Sequence, residues 1–243
     1  SVISRQDAHV ASEQDGRVIQ VAEVGQNVRA GEPIAVLDDT ALRLSERQGQ
    51  ADLARIQAQL DMATRQEQRY ALLAEQQNIA RAQHEQLQAD REMLVQERAR
   101  AQALLEQTRH QRTQMLVRAP FDGVVAEREV ELGEFVNTGD AVARVVDTAE
   151  QEVRVRAPVD LARHLAVGTP VQVRVGDSER GHPVSALVPV GDEASRQLEL
   201  RIRMDASEFP VGTAVEVGMP SAARRAVVAV PRDAVILRRE GDF

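Results

Sequence analysis

"VAEVGQNVRAGEPIAVL", Val21 to Leu37, and "EVELGEFVNTGDAVARV", Glu129 to Val145, are two copies of one pattern. Gly25 and Gly31 of the first correspond to Gly133 and Gly139 of the second, and Val28 and Ile34 to Val136 and Val142, all at one offset. A fixed offset between matching turn and core positions marks a duplicated unit. Within each copy, short apolar runs are separated by glycines, the pattern of short strands joined by tight turns. About four short strands are too few to sustain a core alone. The two halves are therefore expected to complete one another.

What lies between them makes that demanding. From Thr40 to Gln114 there is no proline and one glycine, Gly49, and Ala, Gln, Glu, Arg and Leu dominate, a strongly helical composition. Apolar positions recur at Leu53, Ile56, Leu60, Ala63 and Tyr70, then at every seventh residue through Leu87, Leu94, Ala101, Thr108 and Met115. Heptad spacing predicts helices that pair along a seam. A single helix of this length would hold the halves about 100 Å apart, at about 1.5 Å per residue. A reversal at "EQQNIARAQ", Glu75 to Gln83, where the apolar rhythm lapses and Asn78 tolerates turn geometry, brings the far ends within an interhelical spacing of about 10 Å. The predicted architecture is one β-sandwich assembled from two halves, with an antiparallel helical arm between them.

After Asp147 the alternation changes. "QEVRVRAP", "TPVQVRV", "HPVSALVPV", "RQLELRIRM" and "TAVEVGM" each read as a strand, and "PVDLARHLAVG" as a short helix from Pro158 to Gly168. Several short strands and one helix predict a small β-barrel. From Pro220 a further β unit begins and is not completed.

Composition excludes several functions. A net charge of −8 argues against nucleic acid as a partner, which requires clustered cationic side chains. Every basic residue apart from histidine is Arg, and there is no Cys, so disulfides, thiolate metal sites and Cys nucleophiles are ruled out. The five histidines, His9, His84, His110, His164 and His182, are scattered without metal-ligand spacing and read as surface or packing residues. Asp38 and Asp39 stand where the first helix begins, and one of them is expected as its N-cap. No catalytic grouping, cofactor motif or metal site emerges, so the functional elements are surfaces. Aromatic residues are only 2%, which leaves the cores to Val, Leu, Ile and Ala.

The order of half-module, helical insert, half-module and barrel, with "RAPFDGVVAEREVELGEFVNTGD" (Arg118 to Asp140) and "VVAVPRDAVIL" (Val227 to Leu237), resembles the periplasmic adaptors, or HlyD-like membrane fusion proteins, of tripartite efflux pumps. The resemblance covers essentially the whole chain and implies a mainly β fold: a split lipoyl-like β-sandwich, an antiparallel coiled-coil hairpin and a small β-barrel. It divides the chain into a first lipoyl-like half (1–38), a hairpin (39–116, tip near 76–81), a second half (117–148), a barrel (149–219) and the start of a membrane-proximal β domain (220–243). Lipoyl domains of acyl-transfer enzymes carry their cofactor on a Lys, and the absence of Lys removes that reading.

The length of the hairpin resembles that of adaptors serving proton-driven resistance-nodulation-division (RND) exporters. Their hairpin tips bear an Arg, a Leu four residues on and a Ser seven beyond. Here Arg69 and Leu73 fill the first two places, and Ala80 stands where Ser is expected. The resemblance implies a non-enzymatic adaptor, without cofactor, that joins an inner-membrane RND transporter to an outer-membrane channel and assembles into a ring of six. Its place would be the periplasm, with an inner-membrane anchor in an N-terminal segment outside this sequence. The alternatives are an adaptor for an ATP-driven exporter or type I secretion system, and a coiled-coil scaffold without a transport role.

Overall fold

Alternating Val and Ile between turn glycines produces strands, and the Ala-, Gln- and Glu-rich insert produces helices. The computed structural model describes residues 1–74, 78–159, 165–176, 178–192, 197–204 and 209–220; the side chains of 74, 78–80 and 189–192 lie outside that description. In chain order the elements are β1 (Val2–Ser4), β2 (Asp7–Ala11), β3 (Gly16–Val21), β4 (Asn27–Val28), β5 (Pro33–Leu37), α1 (Thr40–Ala74), α2 (Asn78–Thr113), β6 (Leu116–Arg118), β7 (Gly123–Arg128), β8 (Phe135–Val136), β9 (Ala141–Val146), β10 (Gln151–Pro158), β11 (Pro170–Val175), β12 (Ser178–Asp192), β13 (Gln197–Arg203) and β14 (Glu216–Gly218). They fall into two units. One is Gln6–Thr148; the other joins Ser1–Arg5 to the residues from Ala149 onward.

In the first unit the two copies are interleaved. One four-stranded sheet runs β2-β9-β7-β4 and the other β6-β5-β3-β8, so each sheet takes two strands from each copy. The matching glycines perform matching tasks. The amide of Gly25 donates to the carbonyl of Val125 and that of Gly133 to Val18, each at 2.8 Å; Gly31 donates to Ala119 and Gly139 to Ser12, also at 2.8 Å. Every one of these bonds crosses from one copy to the other. Gly25 and Gly133 both have φ of 87°, in the left-handed region where a Cβ is costly. The turns themselves are closed alike, with Arg29 N–H donating to the Glu32 carboxylate (2.9 Å) and Asn137 N–H to that of Asp140 (2.7 Å). The shared core is aliphatic: Val18, Ile34, Leu37, Val125, Val136, Val142 and Val145 are all at most 2% exposed.

The "APFDG" motif serves the same exchange. The Asp122 carboxylate accepts the Ala30 amide at 2.6 Å, which ties the second copy to a turn of the first. At Gly123 a Cβ would lie 2.6 Å from the Val146 carbonyl oxygen, so this glycine is required by close approach of backbone and not by its φ. On one face Arg144 of β9 grips Asp7 of β2 through two nitrogens (2.8 and 2.7 Å) and Glu127 of β7 at 2.8 Å.

The helical insert leaves from β5 and returns into β6, and these strands pair antiparallel, Ala35 opposite Val117 and Val36 opposite Leu116. Leu37 N–H donates to the Met115 carbonyl at 2.9 Å. Met115 is therefore not the last heptad residue that its spacing suggests. α2 ends at Thr113, and Met115 is buried in the sandwich core beside Leu37 and Val117. The cap of α1 is shared by two acids. The Asp39 carbonyl accepts the Arg43 amide at 2.8 Å, which makes Asp39 the backbone cap, while the Asp38 carboxylate accepts the Thr40 amide (3.0 Å) and hydroxyl (2.6 Å).

α1 and α2, 35 and 36 residues long, meet along a heptad seam. On α1 the buried or half-buried line is Leu42, Glu46, Gly49, Leu53, Ile56, Leu60, Ala63, Glu67 and Tyr70; on α2 it is His84, Leu87, Arg91, Leu94, Arg98, Ala101, Leu105 and Thr108. Spacings of three and four alternate throughout, as paired helices require. Several polar seam residues find partners, although the buried Nε of Arg91 and that of Arg98 have none among the described residues. His84 Nε2 lies 2.9 Å from Glu67 Oε1, and Arg98 donates to Gln57 at 3.3 Å. Near the sandwich Glu46, only 9% exposed, accepts from Arg109 at 3.0 Å and also from Arg112. Those two bonds hold the Glu46 carboxyl below its ordinary value of 4.5, against the opposing effect of burial.

In the second unit six strands run β1-β10-β13-β12-β11-β14. The segment before β14 returns to β1, with Val2 N–H donating to Thr213 and Gly212 N–H to Val2, both at 2.9 Å, which rounds the sheet into a barrel. Residues 1–5, which the reading of 1–38 assigns to the first half-module, instead pair with β10, Val2 opposite Val153. "HPVSALVPV" lies within the 15-residue strand β12, which pairs with β11 as far as Pro183 and with β13 from Val184 onward, with an irregularity between Val184 and Ala186. A bulge of this kind bends a strand and re-aims it. Of the helix expected from Pro158 to Gly168, residues 160–164 lie outside the described residues, Pro158 ends β10, and residues 165–168 are not helical but lead into a turn. The segment 221–243 also lies outside them.

Gly123→Ala should lower stability by about 1–3 kcal/mol, the range for forced overpacking, and is read by thermal unfolding. Glu46→Gln should destabilise the hairpin at neutral pH, followed by the helical circular dichroism signal on heating. Because the folded-state carboxyl is depressed, its contribution is complete above 4.5 and lost as the pH falls through the folded value. The gap between Glu46→Gln and the parent should therefore close at acid pH.

Candidate functional site

The outer end of the hairpin is where α1 stops at Ala74 and α2 begins at Asn78. The seam fixes which face of α1 remains open there. With Ala63, Glu67 and Tyr70 turned to the partner helix, residues offset from that line face water. Arg69 is exposed. Leu73, one turn further, is 54% exposed, Leu72 is 70% exposed, and Met62, seven residues before Arg69, is 64% exposed. Residues at i, i+4 and i, i+7 share a helix face, so Met62, Arg69 and Leu73 form one stripe. A cation between apolar side chains on a rigid helix is suited to a protein surface, with Arg among the residues enriched in interface hot spots.

Of the three residues that the sequence singles out, the structure places Arg69 and Leu73 together on this face. Ala80 is in the first turn of α2, and its side chain lies outside the described residues. Sequence reasoning passes over Met62 and Leu72, because both sit off the apolar period and read as ordinary helix positions. It also takes His84 for a plain surface or packing residue. His84 and Glu67 bridge the two helices 17 residues apart in sequence and secure the seam beneath the Arg69 stripe. The signal available was an acid and an imidazole both on heptad positions.

Among the described residues no group of three or more His, Cys, Asp or Glu is placed to hold a metal ion. His9 lies 3.6 Å from Glu129 on the sandwich surface, and His110 is exposed in the last turn of α2. Among the described residues no helix is long and apolar enough to cross a membrane.

Comparison with known proteins agrees with this fold. The CzcB-like barrel-sandwich hybrid domain matches residues 6–147, the interleaved sandwich with its helical insert and more than half of the chain. Multidrug resistance protein MdtA of Klebsiella pneumoniae is 29% identical over 157 residues, covering 60% of this chain and 36% of MdtA. YdhJ of Escherichia coli is 26% identical over 178 residues, covering 70% of this chain and 60% of YdhJ. The chain thus spans between 36% and 60% of the length of these two curated relatives. The crystal structure of MacA from Actinobacillus actinomycetemcomitans has the same fold, with a TM-score of 0.77 at 19% identity, over 90% of this chain and 76% of MacA. By the match over its sandwich and hairpin, the chain belongs to the CzcB-like barrel-sandwich hybrid family.

Proposed function

We propose that the protein is the periplasmic adaptor of a tripartite efflux pump, joining an inner-membrane RND exporter to an outer-membrane channel in a ring of six copies. The observation that carries this reading is the stripe of Arg69 and Leu73, exposed at the far end of a helical arm whose base is locked into a sandwich. The likeness to a multidrug resistance protein over the sandwich and hairpin supports an export role, and the hairpin length supports an RND partner.

The mechanism is mechanical. At about 1.5 Å per residue, helices of 35 and 36 residues make an arm about 50 Å long, which presents the stripe to a partner well away from the sandwich. The arm is stiffened by packing of Ile56, Leu60, Leu87 and Leu105 and held in register by the Glu46 and Glu67 pairs. Motion of the base is thereby delivered to the tip.

Single cysteines at Leu73 and Ala80, in the full-length protein in living cells, test the docking surface directly, since the sequence contains no cysteine of its own. A short bifunctional cross-linker should capture an outer-membrane channel from both positions and not from a cysteine at Met93, midway along α2. Capture of no channel, with normal expression, would sink the reading. The inner-membrane protein that co-purifies separates an RND exporter from an ATP-driven one. Arg69→Glu should weaken channel capture by roughly thirtyfold, corresponding to about 2 kcal/mol for a hot-spot Arg. Leu94→Pro should break α2 at a cost of about 3 kcal/mol or more and abolish export while the barrel stays folded; wild-type drug tolerance in that variant would contradict a load-transmitting arm.

A further inference from the structure

The barrel has a row of residues that does not fit its core. In the β11–β12 hairpin, Val171 is opposite His182, Val173 opposite Arg180 and Val175 opposite Ser178. Directly opposed residues of an antiparallel pair lie on the same face, and Val171 and Val173 are buried in the core. Ser178, Arg180 and His182 therefore occupy the core-facing row of β12, which continues as buried Val184. On β10 and β13 the corresponding face is Val153, Leu200 and Ile202. A polar group buried in such a row, as His182 is, costs stability unless something is bonded to it. His182 is 7% exposed, and its buried Nε2 has no hydrogen-bond partner among the described residues. A buried orphan nitrogen of this kind calls for an explanation.

A cavity lies along that row. It measures about 260 Å³ and is lined by Val173, Met204 and Phe209 together with Ser178, Arg180 and His182. Its two ends differ in character. Val173 and Met204 are buried, whereas Ser178 and Arg180 are exposed and form the mouth. An apolar cavity of about 150 Å³ suffices for benzene, so this one has room for a single ring and a polar head. A ring suits Phe209 and the Met204 thioether, which favour aromatic contacts. An Arg fork and a hydroxyl suit a carboxylate. The Arg180 guanidinium carries five N–H donors, so an anion adds to whatever the fold already bonds to it.

We propose that the barrel carries a binding site for a small monocyclic aromatic carboxylate, its ring on Val173, Met204 and Phe209 and its carboxylate on Arg180 and Ser178, with His182 in the wall between. The assignment is independent of the hairpin and its partners, so failure of either reading leaves the other standing.

The test uses the purified chain with 13C-methyl methionine. Only five methionines are present, and Met204→Leu identifies the Met204 signal. Addition of 4-ethylbenzoate should shift the Met204 methyl resonance saturably while Met62 and Met93 on the hairpin stay still. The neutral analogue 4-ethylbenzyl alcohol should bind at least about tenfold more weakly. Arg180→Gln, at an exposed position, should weaken 4-ethylbenzoate about tenfold or more with the remaining spectrum unchanged. His182→Phe, which fills the wall, should abolish binding; if it unfolds the barrel, Arg180→Gln still decides. Absence of a saturable shift up to the solubility limit would overturn the proposal. So would equal binding of acid and alcohol, or binding unaffected by Arg180→Gln.

Discussion

The pairing of β5 with β6 is the constraint on which the first unit depends. β5 belongs to the first copy of the module and β6 to the second, and the chain between them is the whole hairpin. Pairing them joins the halves into one sheet, brings the start of α1 and the end of α2 to one place and fixes where the arm leaves the sandwich. The cost is the closure of a long loop. It is moderated because closure entropy grows only with the logarithm of loop length and because the loop is itself ordered. Near-equal helices return the chain to where it left, so helix length and strand register are one specification.

The hairpin seam shows how few apolar contacts such an arm needs. Ile56, Leu60, Leu87 and Leu105 are the only seam leucines and isoleucines that are fully buried among the described residues, and acids and bases occupy much of the rest. Glu46 meets Arg109 and Arg112, and Glu67 meets His84. Half-buried pairs add little net stability, since desolvation offsets attraction, but an unpaired acid in the seam is strongly disfavoured. A one-turn slip would leave both acids facing the wrong partners. Polar residues at such positions specify register at the expense of stability, and a register error would move the exposed stripe of Met62, Arg69 and Leu73 relative to the opposing helix.

Much of this was legible in the sequence, for physical reasons that differ by element. Gly25, Gly31, Gly133 and Gly139 could be matched because positive-φ turns and cross-copy bonds admit little else. The insert read as helical because a long run without proline, rich in Ala and Glu, has few alternatives, and its reversal followed from the need of two half-cores to meet. Strand exchange by β1 was not legible: Val2 pairs with Val153, and nothing local distinguishes "VIS" from the strand that follows it. Met115 kept the heptad spacing by coincidence while its side chain went to the sandwich core. The α2 seam was half visible, because a search for apolar residues passes over His84, Arg91 and Arg98. At the tip, Arg69 and Leu73 were found through family likeness, whereas Met62 and Leu72 become significant only once burial shows which face of α1 is covered.

The barrel makes the complementary point about what a core-facing position means. Its hydrophobic cluster is built from Val, Leu, Ile and Met, with Phe209 at its margin, and a protein with so few aromatic side chains has little apolar area to spare. Of the three positions on this face of β12 given to Ser, Arg and His, only His182 is buried, and there an apolar side chain would supply roughly 1.5–3 kcal/mol if fully buried. Gly181 interrupts the apolar pattern before the strand read at "HPVSALVPV", yet the β11 register extends back through "SERGHP", from Val175 opposite Ser178 to Pro170 opposite Pro183. A strand that keeps its hydrogen-bonded register while losing its apolar face is not responding to packing alone. Stability is set aside at His182, whose buried Nε2 has no partner among the described residues, beside a cavity that Arg180 also lines, and the proposed binding site accounts for that position.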